Sequence, residues 1–186
     1  AHVNFQLRGT ESDADEQFVK NWCAVNNIPF FVQRFQTNNY AMERKLSIQM
    51  AARELRYAWF EEVLKKEGFR YVATAHHLND SLETVLINLT RGIGIEGMVG
   101  IPVKSGNRIR PLLFATKSEI ENYATQEGIA WREDSSNLTD DYQRNFIRHQ
   151  IIPALKKVNP ALEDTFKETV SKIEGEIALL QHDLAE

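Results

Sequence analysis

The sequence predicts an α/β protein built on a parallel, doubly wound sheet, with helices alone toward its C-terminal end. Two observations carry that expectation. Short apolar runs alternate with segments of helical periodicity over the first 90 residues, the pattern of parallel strands joined by right-handed crossovers. Beyond residue 91 the alternation stops, glycines cluster, and only helical spacings recur.

Taken in order, Ala1 to Phe5 alternates apolar and polar residues as the end of a strand does. Asp13 to Asn26 reads as a helix with Phe18, Val19, Trp22 and Val25 on one side. Ile28 to Phe35 is expected as the second strand, and the polar, unpatterned Gln36 to Lys45 as a mobile loop. Ser47 can cap a long helix from Ile48 to Glu67 that stops at Gly68. Phe69 to Ala75 is a third strand, and Asp80 to Thr90 is its following helix. Gly92, Gly94, Gly97 and Gly100 make a pliant loop. Ile109 to Leu113 is extended, with Pro111 arguing against a central strand. Helices are expected from Lys117 to Glu127, from about Tyr142, and from Ala161 to Leu184. In the last of these Leu162, Phe166, Val170, Ile173, Ile177 and Leu180 recur at helical spacing, and Pro153 and Pro160 punctuate the approach to it. The division that results is an α/β domain over 1–115 and a helical extension over 116–186.

Composition bounds the function. A chain of 186 residues, 42% hydrophobic and 26% charged, is ordinary for a globular protein. It has no apolar run of about 18 residues and no signal-peptide architecture at its start, so a cytoplasmic protein without membrane contact is expected. One cysteine, Cys23, excludes an internal disulfide or a cysteine-built metal cluster, and it reads as a packed side chain. A net charge of −4 means that any nucleic acid would need a local basic patch.

The most informative stretch joins the third strand to its helix. There an apolar strand runs into His76 and His77, then into Asp80 and Glu83 at the first turn of an amphipathic helix whose stripe is Leu82, Val85, Leu86 and Leu89. The i,i+3 spacing stacks the two carboxylates on one face, where both are expected to point outward. Open α/β sheets bind ligands beyond the carboxyl ends of their strands, and hard cations such as Mg²⁺ take carboxylate oxygens while keeping places for water and phosphate. The alternative is structural: Asp80 as a carboxylate favoured by the helix dipole and Glu83 as its solvated neighbour.

Six segments taken together carry a resemblance: Ala1-His-Val-Asn-Phe-Gln-Leu-Arg-Gly, Ala51-Ala-Arg-Glu-Leu-Arg-Tyr, His76-His-Leu-Asn-Asp-Ser-Leu-Glu-Thr, Arg91-Gly-Ile-Gly, Ile109-Arg-Pro-Leu-Leu, and Glu133-Asp-Ser-Ser-Asn with Arg144-Asn-Phe-Ile-Arg. Their order and spacing resemble the tRNA(Ile)-lysidine synthases of the PP-loop ATP pyrophosphatase group. The resemblance implies a Rossmann-like, adenine nucleotide alpha hydrolase-like fold. It also implies an enzyme that uses ATP and Mg²⁺ to adenylate carbon 2 of the wobble cytidine in an isoleucine tRNA, after which free L-lysine displaces AMP. Such a site must neutralise phosphate charge, hold a base flipped from its stack and seat an amino acid.

By that resemblance Asp80 is the metal or lysine-ammonium carboxylate and Glu83 assists it. His2, His76, His77, Asn79, Arg91 and Gly92 are candidates for the nucleotide. Arg53, Arg56, Arg144 and Arg148 are candidates for tRNA or phosphate, with plainer alternatives beside them. Arg91 suits a helix C-terminus, Arg53 and Arg56 a solvated or salt-bridged face, and Arg144 with Arg148 a structural clamp on Glu133 and Asp134. Lys117 is expected as surface charge.

Two departures bear on the expectation. The group's Ser-Gly-Gly-x-Asp-Ser phosphate loop is not among these residues, so the chain reads as a fragment, inactive alone, marginally stable or self-associating through uncovered strand edges, with a homodimer as one such assembly. Asn79-Asp80 stands where the group more often has Asp-Asp, which places the ionic role on Asp80. The rival readings are a PP-loop tRNA thiolase, which a single cysteine disfavours, and a non-catalytic remnant of the fold that binds RNA or protein.

Overall fold

A computed structural model of the chain describes residues 1–133 and 143–183. These form two compact units, Ala1–Val72 and Ala73–Glu186. That boundary falls earlier than the division at 115 read from the sequence, because it follows chain packing rather than the change in pattern.

In the first unit, β1 (His2–Asn4) and β2 (Val32–Arg34) pair in parallel, His2 opposite Val32, and α1 (Thr10–Val25) connects them. Here the expected β–α–β arrangement is realised with shorter strands, since Pro29 and its neighbours stay outside the ladder. A buried polar cluster locks α1 to the carboxyl ends of both strands. The Asn4 amide donates to Glu16 and Asp13, each at 2.9 Å, and Arg34 donates to the two Glu16 oxygens at 2.8 and 2.9 Å.

The expected loop after β2 is instead a helix, α2 (Thr37–Arg44). Its own sequence lacks an apolar stripe, so tertiary contacts hold it. Thr37 Oγ1 donates to the Phe5 carbonyl at 2.9 Å, Ala41 is buried, and Lys45 ends the helix in the left-handed region at φ 54°. The helix α3 (Ile48–Glu67) follows its sequence signals: Ser47 accepts from the Met50 N–H at 3.2 Å, and Gly68 closes it at φ 71°. Ala51, Trp59 and Leu64 are its buried positions.

The short strand β3 (Val72–Ala73) stands at the boundary of the units and leads into α4 (Leu78–Leu89). A 3₁₀ turn (Ile95–Met98), β4 (Lys104–Ser105), β5 (Arg108–Ile109) and α5 (Lys117–Gln126) follow. β4 and β5 are antiparallel, and the sheet order β3-β5-β4 puts β5 in the middle. Pro111 was expected to bar this segment from a central place; it does not, because the strand ends at Ile109, before the residue that lacks an N–H.

The second unit's core lies where α4 meets the C-terminal helices. Leu82, Ile147 and Ile152 are buried together, with Leu86, Ile87, Ile151, Leu162 and Phe166 against them. Leu89, assigned to the buried stripe from its spacing, is 53% exposed and takes no part in this cluster. From Gln143 the chain is helical through α6 (Gln143–Phe146), a π-helical turn (Ile147–Ile151) and α7 (Ile152–Val158). Pro153 therefore sits at the head of α7 rather than breaking the chain. The Ile152 N–H reaches back five residues to the Ile147 carbonyl, the wider turn that lets the helix continue into a proline. The expected start near Tyr142 falls just outside the described residues. The last helix, α8 (Leu162–Asp183), packs through Leu162 and Phe166, while Leu179 and Leu180 are exposed. Among the described residues no helix is long and apolar enough to cross a membrane.

Candidate active site at the head of helix α4

The first turn of α4 gathers the chemistry. Asp80 is the third residue of the helix and its Oδ2 accepts the His77 N–H at 3.0 Å, satisfying a backbone donor while placing negative charge at the positive end of the helix. The His77 Nε2 stands 3.4 Å from the same oxygen. Asp80 is also open to a pocket of about 460 Å³ that His77, Lys117, Glu121, Trp131 and Arg148 help to line. The structural and the functional readings of Asp80 are therefore compatible in one side chain.

Glu83 does not share that pocket, and the expectation that both carboxylates face outward fails here. Its side chain is 1% exposed, enclosed by the helix that carries Arg144 and Arg148. Arg148 donates to both Glu83 oxygens, Nε at 2.6 Å and Nη2 at 3.0 Å, and its Nη2 lies 3.6 Å from Asp80. Arg144 stands 3.5 Å from Glu83 and donates to Thr84 Oγ1 at 2.8 Å. The i,i+4 spacing of the arginines makes a clamp, but one that grips α4. Of the carboxylates named for it from the sequence, Glu133 instead accepts from the Trp131 indole at 3.1 Å and Asp134 lies outside the described residues. Burial pulls the Arg148 guanidinium down, and the hydrogen bond and charge of Glu83, with the charge of Asp80, outweigh it and raise it above its ordinary value. One guanidinium thus stands between a buried carboxylate, which it hydrogen-bonds, and the pocket-facing one.

Asn79 is likewise structural. Its carbonyl oxygen accepts the Lys117 N–H at 2.8 Å and its amide nitrogen donates to Glu163 at 3.3 Å, tying the heads of α4, α5 and α8 together. With Asn79 and Glu83 so engaged, Asp80 is the one carboxylate of this turn that a metal could meet. Among the described residues no group of three or more His, Cys, Asp or Glu is placed to hold an ion. The residues fit a Mg²⁺ that brings its own phosphate and water oxygens, not an ion caged by protein.

The remaining candidates fall in both units. His76 hydrogen-bonds through Nδ1 to Thr74 Oγ1 at 2.9 Å. Arg91 donates to Gln143 at 2.8 Å, and Gly92 follows in the left-handed region at φ 74° with open space around it. His2, Arg53 and Arg56 belong to the first unit. His2 stacks on Phe30, and burial lowers its imidazole below the ordinary 6.5, Glu16 and Asp15 opposing. Arg53 lies over the Tyr57 ring and Arg56 over Phe5, each 5.0 Å from the ring centroid. Lys117, read as surface charge, and Trp131, not singled out from the sequence, both line the pocket. The clue missed for Trp131 is an indole that opens a polar run, Arg132 to Asn137.

An α/β unit whose strand-to-helix turn presents a carboxylate to an open, charged pocket defines a nucleotide-using class of domain. The chain belongs to the PP-loop domain family, whose model matches residues 1–155. Within that family it is similar to curated tRNA(Ile)-lysidine synthases. It is 48% identical to that of Porphyromonas gingivalis over 94% of this chain and 39% of that protein. It is 49% identical to that of Parabacteroides distasonis over 88% and 37%, and 45% identical to that of Chlorobaculum tepidum over 88% and 51%. The chain thus spans about half or less of the length of these relatives. Among solved structures it is similar to the U34-tRNA thiolase NcsA from Methanococcus maripaludis with its [4Fe-4S] cluster, with a TM-score of 0.68, 16% identity, and coverage of 92% of this chain and 61% of that one. At that identity the likeness speaks for the fold.

Proposed function

We propose that this chain is the ATP-using part of a tRNA(Ile)-lysidine synthase. The observation that carries the reading is identity of 45–49% to such synthases over 88–94% of these residues, with Asp80 open to a pocket in the second unit. In this reading the oxygen on carbon 2 of the wobble cytidine attacks the α-phosphorus of ATP and pyrophosphate leaves. The lysine amine then bonds to carbon 2, the C–O bond breaks, AMP departs with that oxygen, and the amine proton is lost. Adenylation is needed because the carbonyl oxygen is a poor leaving group, whereas a phosphate ester is a good one.

Asp80 supplies the fixed negative charge, for the lysine ammonium or for a Mg²⁺ that arrives on the ATP phosphates. Mg²⁺ would neutralise phosphate charge there. Glu83 acts at one remove, by holding Arg148 beside Asp80. Residues 1–115 form the α/β part of the ATP-using region and 116–186 a helical extension. Isoleucine tRNA and free L-lysine are the substrates, the cytoplasm is the compartment, and a homodimer is the assembly to look for by light scattering. The thiolase reading has less support: Cys23, the single cysteine, is buried, and sulfur transfer needs accessible thiols or a cluster.

The test supplies the protein encoded with these residues with ATP, Mg²⁺, labelled lysine and an isoleucine tRNA transcript. Lysine incorporated into tRNA, with AMP and pyrophosphate released, is the expected result. Tight tRNA binding without lysine incorporation would favour the non-catalytic reading instead.

A further inference from the structure

We propose that the indole of Trp131 is the platform on which the target nucleobase stacks in the Asp80 pocket. The inference rests on the function just proposed and names a binding residue for it. Trp131 lies beyond α5, 49% exposed, and lines the same space as Asp80 and His77. Its only polar atom is accounted for, since Nε1 donates to Glu133 at 3.1 Å. That bond holds one edge of the ring and leaves a broad apolar surface turned to the cavity, an arrangement that packing does not require.

A flat apolar ring face beside Asp80 suits a nucleobase, which has a flat face of its own. Lys117, Arg132 and Arg148 line the pocket with the indole, alongside Asp80, Glu121 and Glu133, so cations are at hand for the backbone of a nucleotide whose base lies on the ring. An ammonium could also sit on an indole, but the carboxylate of Asp80 in the same pocket is the stronger seat for it. A volume of about 460 Å³ lies within the range of small-ligand sites. A base taken out of its stack loses its neighbours, and a planar side chain beside the reactive centre replaces them.

The experiment compares wild type, Trp131→Ala and Trp131→Phe in the protein as encoded, measuring kcat and KM for tRNA and for lysine, with thermal melts to verify folding. Trp131→Ala should lower kcat/KM for tRNA by about tenfold to a hundredfold, the loss of one stacked base, with the lysine KM unchanged. Trp131→Phe should recover most of it. A second readout avoids turnover: an isoleucine anticodon stem-loop with 5-iodocytidine at the wobble position should photocrosslink to the peptide containing Trp131. A raised lysine KM with unchanged tRNA kinetics would overturn the proposal in favour of an ammonium seat. So would a crosslink that maps elsewhere, or alanine and phenylalanine variants that behave alike. A wild type that binds no tRNA and makes no lysidine would remove the underlying function, and this inference with it.

Discussion

Arg148 grips the buried carboxylate of Glu83 through two hydrogen bonds, at 2.6 and 3.0 Å, while the same guanidinium stands 3.6 Å from Asp80. The pair joins the helix that carries the pocket-facing acid to the segment following residue 143. Its energetics are asymmetric, because Glu83 is almost fully enclosed and Arg148 is partly open to water. Replacing Arg148 by Met should destabilise the protein by about 3–5 kcal/mol, since a buried carboxylate loses both its close hydrogen bonds and keeps, among the described residues, only Arg144 at 3.5 Å. Glu83→Gln should cost less, because the amide keeps an acceptor and carries no charge. Denaturant unfolding of both variants checks the order; equal losses would mean that the pair is not the determinant.

Asp80→Asn separates the two duties of that side chain. The amide oxygen can still accept the His77 N–H at the helix head, so the melting temperature should move little. The charge is lost, and lysidine formation should fall by about a hundredfold or more, the scale of a removed electrostatic contact at a reacting centre. Unchanged turnover would take the catalytic role away from Asp80.

Acid should loosen the first unit through Glu16. The Arg34 hydrogen bond, opposed by burial and helped by Asn4, holds this carboxyl below its ordinary 4.5. A depressed folded-state value means that the stabilisation is fully present above about 4.5 and is lost as pH falls through the lower, folded-state value. Stability measured by urea titration between pH 7 and pH 3 should decline at the acid end in the wild type and more shallowly in Glu16→Gln. Parallel curves would assign the acid sensitivity to other groups.

Gly100 and Gly106 both lie at positive φ, 81° and 59°, but only the first is crowded. A Cβ there would run into the Ser81 hydroxyl and come within 3.1 Å of the Ser81 carbonyl, whereas nothing lies within 4 Å at Gly106. The Ser81 hydroxyl also accepts the Ile101 N–H at 3.0 Å, so the collision would disturb a bond in use. Gly106→Ala should cost about 1–2 kcal/mol from backbone strain alone, and Gly100→Ala distinctly more. Thermal melts of the two variants decide it.

Much of this arrangement was legible from residue patterns because it is set by local chemistry. Ser47 and Gly68 bracket α3 through a side-chain acceptor and a residue free to adopt positive φ, and both lie within one turn of the groups they satisfy. The i,i+3 stacking of Asp80 and Glu83 is likewise a property of one helix. What spacing could not tell was which of the two is covered, since that depends on Arg148, 65 residues further along Glu83's chain. The helix α2 escaped notice for the same reason: its polar sequence has weak preference of its own, and the Phe5 carbonyl that accepts from Thr37 is supplied from 32 residues away.

The sequence by itself determined the alternation of strand and helix, the two ends of α3 and the family, since these depend on periodicity, capping groups and motifs read along the chain. Only the tertiary structure decided that Glu83 is a buried anchor, that Asn79 is a tie between helix heads, and that Trp131 shares a pocket with Asp80. Those outcomes depend on desolvation and partner geometry, which come into being when distant segments pack together.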